Sequence, residues 1–521
     1  MQPTRFPPEV LSEIFMECLD FPPWIDHDGP IPNAPVDAPF LLTRICRHWR
    51  AVAMSTPRLW TNMFLPDLPN TRRKCKLLFS QVAIWLSLSK SLPLSFVLRF
   101  DSNFCSRDMT ARYLALLFKE IHRWESVQIV LGLGAISWMP VVQPGSMNLL
   151  EDFYFDGATD HTSTDVPTIM TSLASAPLLS NVEIVHDQSH KWVLPWANLT
   201  VLNLVIEAED ISADTLEGLC DNLHECVNLS DLELAFQYGF TGEVRPPTSD
   251  VVLSTLDYLA LKCNGTDVIE SLMHTLVTPR LSYLSLECLN RRWYPEPSAT
   301  LGYSILAFLK ESGGAIETLR LTDMCILPRE IVSCLSLLPN LKGLHLFHER
   351  VDTEVLEALT LRFDDEGHLI FGNNLHLKVI SCLTAGIFSF SDALPQLPFS
   401  MRHPLGDGDC TNTPQLITFL DNQPPREDLT TEKLSAWFSE VSNPAFCRSF
   451  ARMIESRWLL PPHSKVQQLQ TFGFVHFDLH ILERMFPEGY VAVMRCWNQG
   501  LNLNVWSSLT RMEYWRSIMH M

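Results

Sequence analysis

The sequence is poor in basic residues for its length. It has 39 lysines and arginines against 59 aspartates and glutamates, which gives a formal net charge of -20 over 521 residues. Proteins that bind nucleic acids need a basic surface to contact phosphate groups. We therefore expect no nucleic-acid partner, and we interpret the one basic cluster, at residues 72–76, as a solvated segment.

Long apolar runs are also missing. The longest run extends from Ile129 to Val142 and contains Pro140, whereas a membrane-spanning helix needs about 20 apolar residues. Residues 1–5 lack the apolar segment of a secretory signal. We therefore expect no membrane segment and a cytoplasmic or nuclear location, or both.

The 14 cysteines include no Cys-x-x-Cys pair. This absence argues against a zinc site and a disulfide framework, and we predict reduced thiols in the core. Acidic segments at residues 26–28 and 407–409 offer oxygen ligands. We interpret them as solvated loops because no further ligands accompany them, and we expect no metal and no cofactor.

Motifs for catalysis and nucleotide binding are absent as well. Gly132 and Gly134 lack the third glycine of a dinucleotide-binding loop, and no Gly-x-x-x-x-Gly-Lys motif is present. The motifs Gly-x-Ser-x-Gly and His-Glu-x-x-His are not found. Cys46 and His48 are two positions apart, a spacing that does not bring side chains together on a helix. We therefore predict a non-catalytic protein; an enzyme within residues 386–521 has no motif in its favour.

The first sixty residues instead contain amphipathic helical patterns. A first helix is predicted after Pro7, because proline suits the first helical turn, and it ends before Pro22. A second is predicted from an N-cap at Asp37 to Ala53. A last short turn holds Trp60. Helices this short are marginal alone, and a domain of about 60 residues hides only about 60% of its unfolded surface, so we expect an exposed apolar patch.

This stretch resembles an F-box. The family pattern combines a Leu-Pro pair, a helix that ends in Ile-Phe, a Val-Cys-Arg-x-Trp-Arg motif and a terminal Leu-Trp. The matching residues are Phe6-Pro7, Ile14-Phe15, Ile45-Cys46-Arg47-His48-Trp49-Arg50 and Leu59-Trp60. Two features depart from the pattern: Phe6 replaces the usual leucine, and the segment 21–40 between the first two helices is long.

The resemblance implies that a Skp-type adaptor, and through it a cullin, is a partner of this protein. We assign the adaptor contact to the residues Phe6, Pro7, Leu11, Ile14, Phe15, Leu42, Ile45, Trp49 and Trp60. An alternative is that Trp49 and Trp60 are core residues of a helical domain that has no partner.

After residue 124 the sequence repeats the pattern L-x-x-L-x-L, with large apolar residues at positions one, four and six. Ten copies begin at Trp124, Leu150, Leu179, Leu199, Leu229, Leu256, Leu281, Ile316, Leu341 and Leu377. Most intervals between copies fall in or near the 20 to 29 residues typical of leucine-rich repeats, and helical patterns lie between the hexads. The chain is therefore similar to leucine-rich-repeat proteins, and with its N-terminal stretch it resembles F-box proteins abundant in mushroom-forming (basidiomycete) fungi.

Each repeat is predicted to form one strand and one helix, and stacked repeats form a solenoid with a curved parallel sheet. Side chains alternate along a strand, so the fifth hexad residue should lie on the inner sheet face, away from the core. The candidates for target binding are Tyr154, Glu183, Asn203, Glu233, Ser285, Arg320 and His345, in a row that also contains Ala260. A mixed row of this kind is compatible with protein recognition and also with ordinary solvent exposure.

The predicted fold class is α/β, with an F-box-like helical module at 1–65 and a linker with a docking helix at 66–95. The repeat solenoid follows at 96–385. Residues 386–521 are predicted to form an irregular continuation with capping helices and a proline-rich loop at 391–425. If the resemblance holds, the protein is the substrate-recognition adaptor of an SCF-type cullin–RING ubiquitin ligase, whose repeats bind an unknown target protein. The alternative is an F-box and leucine-rich-repeat scaffold that does not direct degradation.

Overall fold

A computed structural model describes most of the chain as two compact units, Met1–Thr278 and Pro279–Met521. The Asp37 cap, both acidic segments and the proline-rich segment lie outside the described residues. The described residues are 6–19, 39–65, 68–69, 71–100, 107–132, 135–157, 168–186, 192–207, 213–237, 250–289, 299–324, 326–347, 351–383, 444–475, 482–483 and 486–506.

The protein has a mixed α/β fold dominated by parallel sheet, as the sequence predicted. Strands of the first unit are β1 (Asn62–Leu65), β2 (Leu94–Phe100), β3 (Trp124–Leu131), β4 (Asp152–Gly157), β5 (Asn181–His186), β6 (Val201–Ile206), β7 (Asp231–Phe236), β8 (Val251–Val252), β9 (Tyr258–Cys263) and β10 (Leu276–Val277). Strands of the second unit are β11 (Tyr283–Cys288), β12 (Thr318–Thr322), β13 (Gly343–Phe347), β14 (Arg362–Phe363), β15 (Leu369–Phe371), β16 (Val379–Leu383), β17 (Thr471–Val475) and β18 (Asn502–Trp506). Among the described strands, eight in the first unit and six in the second form parallel sheet.

Helices connect many of these strands. Those of the first unit are α1 (Pro8–Glu17), α2 (Leu42–Ile45), α3 (Arg47–Ser55), α4 (Arg72–Leu88), α5 (Arg107–Phe118), α6 (Thr168–Ser172), α7 (Ala213–His224) and α8 (Thr266–Thr275). Those of the second unit are α9 (Ala299–Ser312), α10 (Pro328–Leu337), α11 (Thr353–Leu359), α12 (Pro444–Trp458) and α13 (Pro487–Asn498). Within the described residues, no helix combines the length and the apolar character that a membrane span requires.

All ten hexads contain a strand, and their apolar positions form the core. Residues at positions one, four and six of the ten hexads are at most 2% exposed. Neighbouring strands pair equivalent hexad positions with each other. Val127 on β3 and Phe153 on β4 are both fourth hexad residues and are partners, and so are Leu284 on β11 and Leu319 on β12. The hexad pattern therefore predicted the strands, and the structure shows that they pair in this register.

A recurring backbone contact ties each repeat to the next. The carbonyl oxygen of Glu151, just before β4, accepts the N–H groups of Ser180 and Asn181 at 3.0 and 3.1 Å. Equivalent paired contacts are accepted by the residues that precede the later strands, namely Ser180, Thr200, Ser230, Ser282, Glu317, Lys342 and Lys378. Backbone groups must find partners when they are buried, and these carbonyls supply them where an asparagine ladder is lacking.

Within the described residues, several repeats depart from the predicted strand-and-helix unit; between β7 and β9, for example, they contain the short strand β8 and no helix. Between β3 and β4 the described residues form a 3-10 turn at Ala135–Trp138, and between β5 and β6 they form another at Trp196–Asn198. The 3-10 turn between β5 and β6 follows from the short length of that repeat, because only 20 residues separate the hexads at Leu179 and Leu199. Between the hexads, α7, α8 and α10 follow the predicted helical patterns.

The predicted second helix is interrupted. Its periodic apolar residues indicated one continuous helix, but the backbone of Cys46 is extended (φ −156°, ψ 170°) and separates α2 from α3. The Cys46 Sγ accepts the N–H of Trp49 at 3.4 Å and thereby caps α3. Side-chain capping of this kind satisfies an N–H group that the first helical turn leaves without a partner.

Parallel strands extend beyond the predicted repeat region of 96–385 in each unit. In the first unit β1, inside the segment assigned to the helical module, pairs with β2. In the second unit β17 and β18 follow β16 in parallel register, although their sequence is in the segment predicted to be irregular. The predicted linker of 66–95 contains the expected helix, α4, which begins at Arg72, five residues before the Leu77–Leu88 range that its apolar pattern predicts.

The cysteines lie mainly in the interior. Nine of the eleven described cysteines are buried, and all eleven are free thiols. Burial raises the pKa of Cys334 to about 12, so this thiol is protonated at neutral pH. The buried cysteines therefore act as small apolar side chains.

Candidate protein-interaction surfaces

The helical module, comprising the described residues 6–19 and 39–65, has a small aromatic core. Leu11 and Phe15 on α1 are buried, and the Phe15 ring lies 4.9 Å from the ring of Trp49 on α3. The Phe6 carbonyl oxygen lies 3.4 Å from Nε2 of His48, which also brings the segment before α1 to α3. The module therefore uses one face of α1 for its own packing.

The nine residues assigned to adaptor binding divide into two groups. Leu11, Phe15, Leu42 and Trp60 are buried and Trp49 is half-buried, whereas Phe6, Pro7, Ile14 and Ile45 are exposed. The buried residues build the module, because a side chain without exposed surface cannot meet a partner. Only the exposed residues are available for contact.

The exposed apolar residues follow helical spacing. Val10 and Ile14 are four residues apart on α1 and are 44% and 40% exposed, and Phe6, which precedes the helix, is 55% exposed. Leu41 and Ile45 are also four residues apart, at α2, with 44% and 52% exposure. Side chains at this spacing share one helix face. Val10 and Leu41 were not among the assigned residues, although helical periodicity places both beside residues that were.

An aromatic cluster joins the helical module to α4. Phe40 packs edge-on against Trp60 and Trp85, and the two indole rings are themselves perpendicular at 5.9 Å. The Trp60 Nε1 donates to the Ala53 carbonyl oxygen at 2.8 Å. Edge-to-face aromatic pairs add about 0.5–1.5 kcal/mol beyond their buried area, so this junction holds the module against the start of the sheet.

The predicted row of fifth hexad residues exists in both units. In the first unit Tyr154, Glu183, Asn203 and Glu233 are successive partners on β4 to β7. They line an open groove of about 360 Å³, together with Asn181 and Asp231 of the adjoining row. Tyr154 is itself buried, which differs from the exposed position that alternation predicted.

The groove is acidic, and several of its polar groups are paired with each other. The Asn203 Nδ2 donates to the Glu183 Oε1 at 3.1 Å, and the Lys262 Nζ lies 2.5 Å from the Glu233 Oε1. Burial, together with the negative charges of Asp156 and Glu183, raises the pKa of the Tyr154 hydroxyl well above its usual range. The Tyr154 hydroxyl is therefore a neutral group at physiological pH.

In the second unit the row contains Ser285, Arg320 and His345, which are direct partners on β11, β12 and β13. Ser285 is buried, and the other two are half-buried. Burial and the nearby Arg320 cation lower the pKa of His345 to about 4. The imidazole is therefore neutral at pH 7, and Arg320 carries the positive charge of this part of the face.

The geometry offers surfaces for binding. Across the described ranges, no group of three or more histidine, cysteine or acidic residues is arranged to hold a metal ion. No protein-family model matches this chain, and no curated protein matches it.

Proposed function

We propose that this protein is the substrate-recognition adaptor of an SCF-type cullin–RING ubiquitin ligase. In this proposal the exposed residues of α1 and α2 bind a Skp-type adaptor, which connects the chain to a cullin. The polar face of the sheet binds a target protein. The chain catalyses no step itself; it brings the target to the ligase.

The observation that carries the proposal is the apolar exposure on α1 and α2. Phe6, Ile14 and Ile45 belong to the motif residues that resemble an F-box, and each leaves at least 40% of its surface in water. Burying such side chains in a partner is favourable by about 25 cal/mol per Å². The motif therefore supplies both a packed interior and an apolar contact surface, as adaptor docking requires.

The junction at Trp60 and Trp85 supports the second part of the proposal. Because it packs the module against the beginning of the first unit's sheet, a protein held on that sheet and an adaptor held on the module belong to one assembly. Tethering of this kind raises the effective concentration of one bound protein near the other.

Pull-down with a purified Skp-type adaptor tests the proposal. The exposed residues Ile14 and Ile45 allow the variants Ile14→Asp and Ile45→Asp, which place an unpaired carboxylate in the contact. We expect adaptor retention to fall by more than about tenfold in each. Val141→Asp is the matched control, because Val141 is 71% exposed and lies outside the helical module.

Adaptor retention by both module variants at the wild-type level, with their circular dichroism unchanged, would refute the contact surface. Leu11→Asp does not test it, because Leu11 is 2% exposed and a charge there unfolds the module. Ubiquitin transfer by the reconstituted ligase to proteins captured on the wild-type chain separates the ligase adaptor from a scaffold that does not direct degradation.

A further inference from the structure

Arg320 is a half-buried cation that forms no ion pair within the described parts of the chain. Its Nε is buried and lacks a hydrogen-bond partner, and the guanidinium makes no salt bridge with any described residue. The contact that it does make is with an aromatic ring, since its Cζ lies 5.1 Å from the centre of the Phe347 ring. Buried polar groups are nearly always hydrogen-bonded, so this exception needs an explanation.

Several other cations on or beside the strands are paired. Lys342, which directly precedes β13, lies 2.6 Å from the Glu317 carboxylate. In the first unit, Lys262 is paired with Glu233 and Arg123 with Glu120. A chain with a net charge of -20 has an excess of carboxylates. Arg320 therefore forms no ion pair with a described residue in a chain that is rich in carboxylates.

The neighbours of Arg320 present neutral groups. His345 is its direct strand partner and stacks on Phe347 with the ring centres 6.1 Å apart. The Thr322 hydroxyl, two residues along β12, is also buried without a hydrogen-bond partner. The nearest carboxylate in the strand register is Glu287, the partner of Thr322, and it forms no ion pair with Arg320 within the described parts of the chain.

We propose that Arg320, held on the Phe347 ring and flanked by His345, binds the carboxylate of an aspartate or glutamate side chain in an extended segment of the target protein. A guanidinium presents its donors in a fork that matches the two oxygens of a carboxylate. This assignment deepens the proposed function, because it identifies the target segment as acidic. It rests on that function only in taking the segment to belong to the target protein.

The charge balance favours a carboxylate over a phosphate group. Arg320 supplies one positive charge, His345 is neutral at pH 7, and Glu287 on β11 is negative. A bound carboxylate adds a single negative charge, which leaves the smaller negative excess of the two ligands. A phosphoryl group carries a charge of about −1.5 to −2 at this pH, so it would leave uncompensated negative charge next to a face that already has one carboxylate.

Peptide retention on the immobilised full-length chain tests the inference without any adaptor. Three libraries of random nonapeptides are compared, with glutamate, glutamine or phosphoserine fixed at the centre. We expect the wild type to retain the glutamate library about tenfold better than the glutamine library, because a hydrogen bond to a charged group contributes about 1.5–3 kcal/mol. Arg320→Gln should abolish the preference, and Arg320→Lys, which keeps the charge but loses the fork, should reduce it.

Arg329→Gln is the matched control, because Arg329 is exposed on α10 and its loss removes the same charge. Equal retention of the glutamate and glutamine libraries by the wild type would overturn the inference. This comparison uses the wild type alone, so it does not depend on whether a variant folds. A preference that persists in Arg320→Gln would overturn it too, as would stronger retention of the phosphoserine library. None of these results bears on adaptor binding, which the pull-down measures separately.

Discussion

The indole Nε1 of Trp85 donates a hydrogen bond to the backbone oxygen of Trp60 across 2.9 Å, in the interior of the junction between the helical module and α4. Both side chains are buried. Removal of the donor alone leaves a buried carbonyl oxygen without a partner, and the free-energy penalty of such a group is about 1–3 kcal/mol.

We therefore expect Trp85→Phe to lower the free energy of unfolding of the first unit by about 1–3 kcal/mol. Trp85→Ala should lower it by about 3–5 kcal/mol, because it also creates a cavity. Urea denaturation monitored by circular dichroism measures both. Trp497→Phe is the control, since Trp497 is 48% exposed; an equal effect there would contradict a specific role for the junction.

The cap at Cys46 leads to a second prediction. Cys46→Ala removes the acceptor for the Trp49 N–H and should destabilise the helical module by about 0.5–2 kcal/mol. Serine is a preferred N-cap residue, so Cys46→Ser should keep or raise the stability. Thermal melting of the three proteins provides the comparison. Identical melting temperatures for Cys46→Ala and the wild type would show that the sulfur does not cap α3.

Acidification should destabilise the second unit through His345. Its folded-state pKa of about 4 is below the ordinary value of 6.5 because the ring is buried and Arg320 is near. The unfolded chain therefore binds a proton between pH 6.5 and pH 4 that the folded chain does not. Stability is fully present above pH 6.5 and falls as the pH approaches 4, by at most about 3 kcal/mol.

Urea midpoints measured at pH 7 and pH 4.5 test this dependence. His345→Gln should lose less stability over that interval than the wild type, whereas His376→Gln, which changes an exposed histidine, should follow the wild type. Arg320→Gln should also weaken the dependence, because it removes the neighbouring cation. The other groups beside the ring, Ser381, Gly343 and Phe347, carry no charge. Parallel behaviour of His345→Gln and the wild type would contradict the assignment.

Arg457 on α12 is the basis of a fourth prediction. This side chain is fully buried, and its guanidinium donates to the carbonyl oxygens of Leu359, Asn374 and Asn373 at 2.5, 3.0 and 3.0 Å. Burial lowers its pKa to about 10, so it remains charged at pH 7. The guanidinium therefore joins α12 to the end of α11 and to the residues before β16.

Arg457→Met should lower the free energy of unfolding of the second unit by about 3–5 kcal/mol, because three buried carbonyl groups lose their donor. Arg457→Lys should have an intermediate effect, since one ammonium group cannot reproduce the planar fork. Arg448→Met, which changes an exposed residue of the same helix, serves as the control in guanidinium denaturation. A change below about 1 kcal/mol in Arg457→Met would contradict the role of this network.

The hexads made the sheet predictable because the pattern leaves one arrangement that buries every apolar position. Leucine-like residues at positions one, four and six need alternating strand geometry and neighbours in the same register. Strand β2 gave a different signal: Leu94, Phe96, Leu98 and Phe100 alternate with polar or half-buried residues. That alternation indicates a strand, although it lies outside the hexad pattern.

Features that depend on distant residues were not predictable. No proline or glycine marks the break at Cys46, so the apolar periodicity from Leu41 to Ala53 read as one helix. Spacing located Arg320 on the sheet face, but whether a carboxylate pairs with it among the described residues depends on side chains from neighbouring strands. Arg457 carries no sequence signal, because its acceptors lie up to 98 positions away.

Those long-range contacts have a consequence for the continuity of the polypeptide. Strand β16 pairs directly with β17, and Arg457 binds backbone atoms on the other side of residues 384–443. These contacts join the elements on either side of the interval without a covalent bond. A chain nicked there by a site-specific protease should stay together as two co-purifying fragments, and the same halves expressed separately should reassemble.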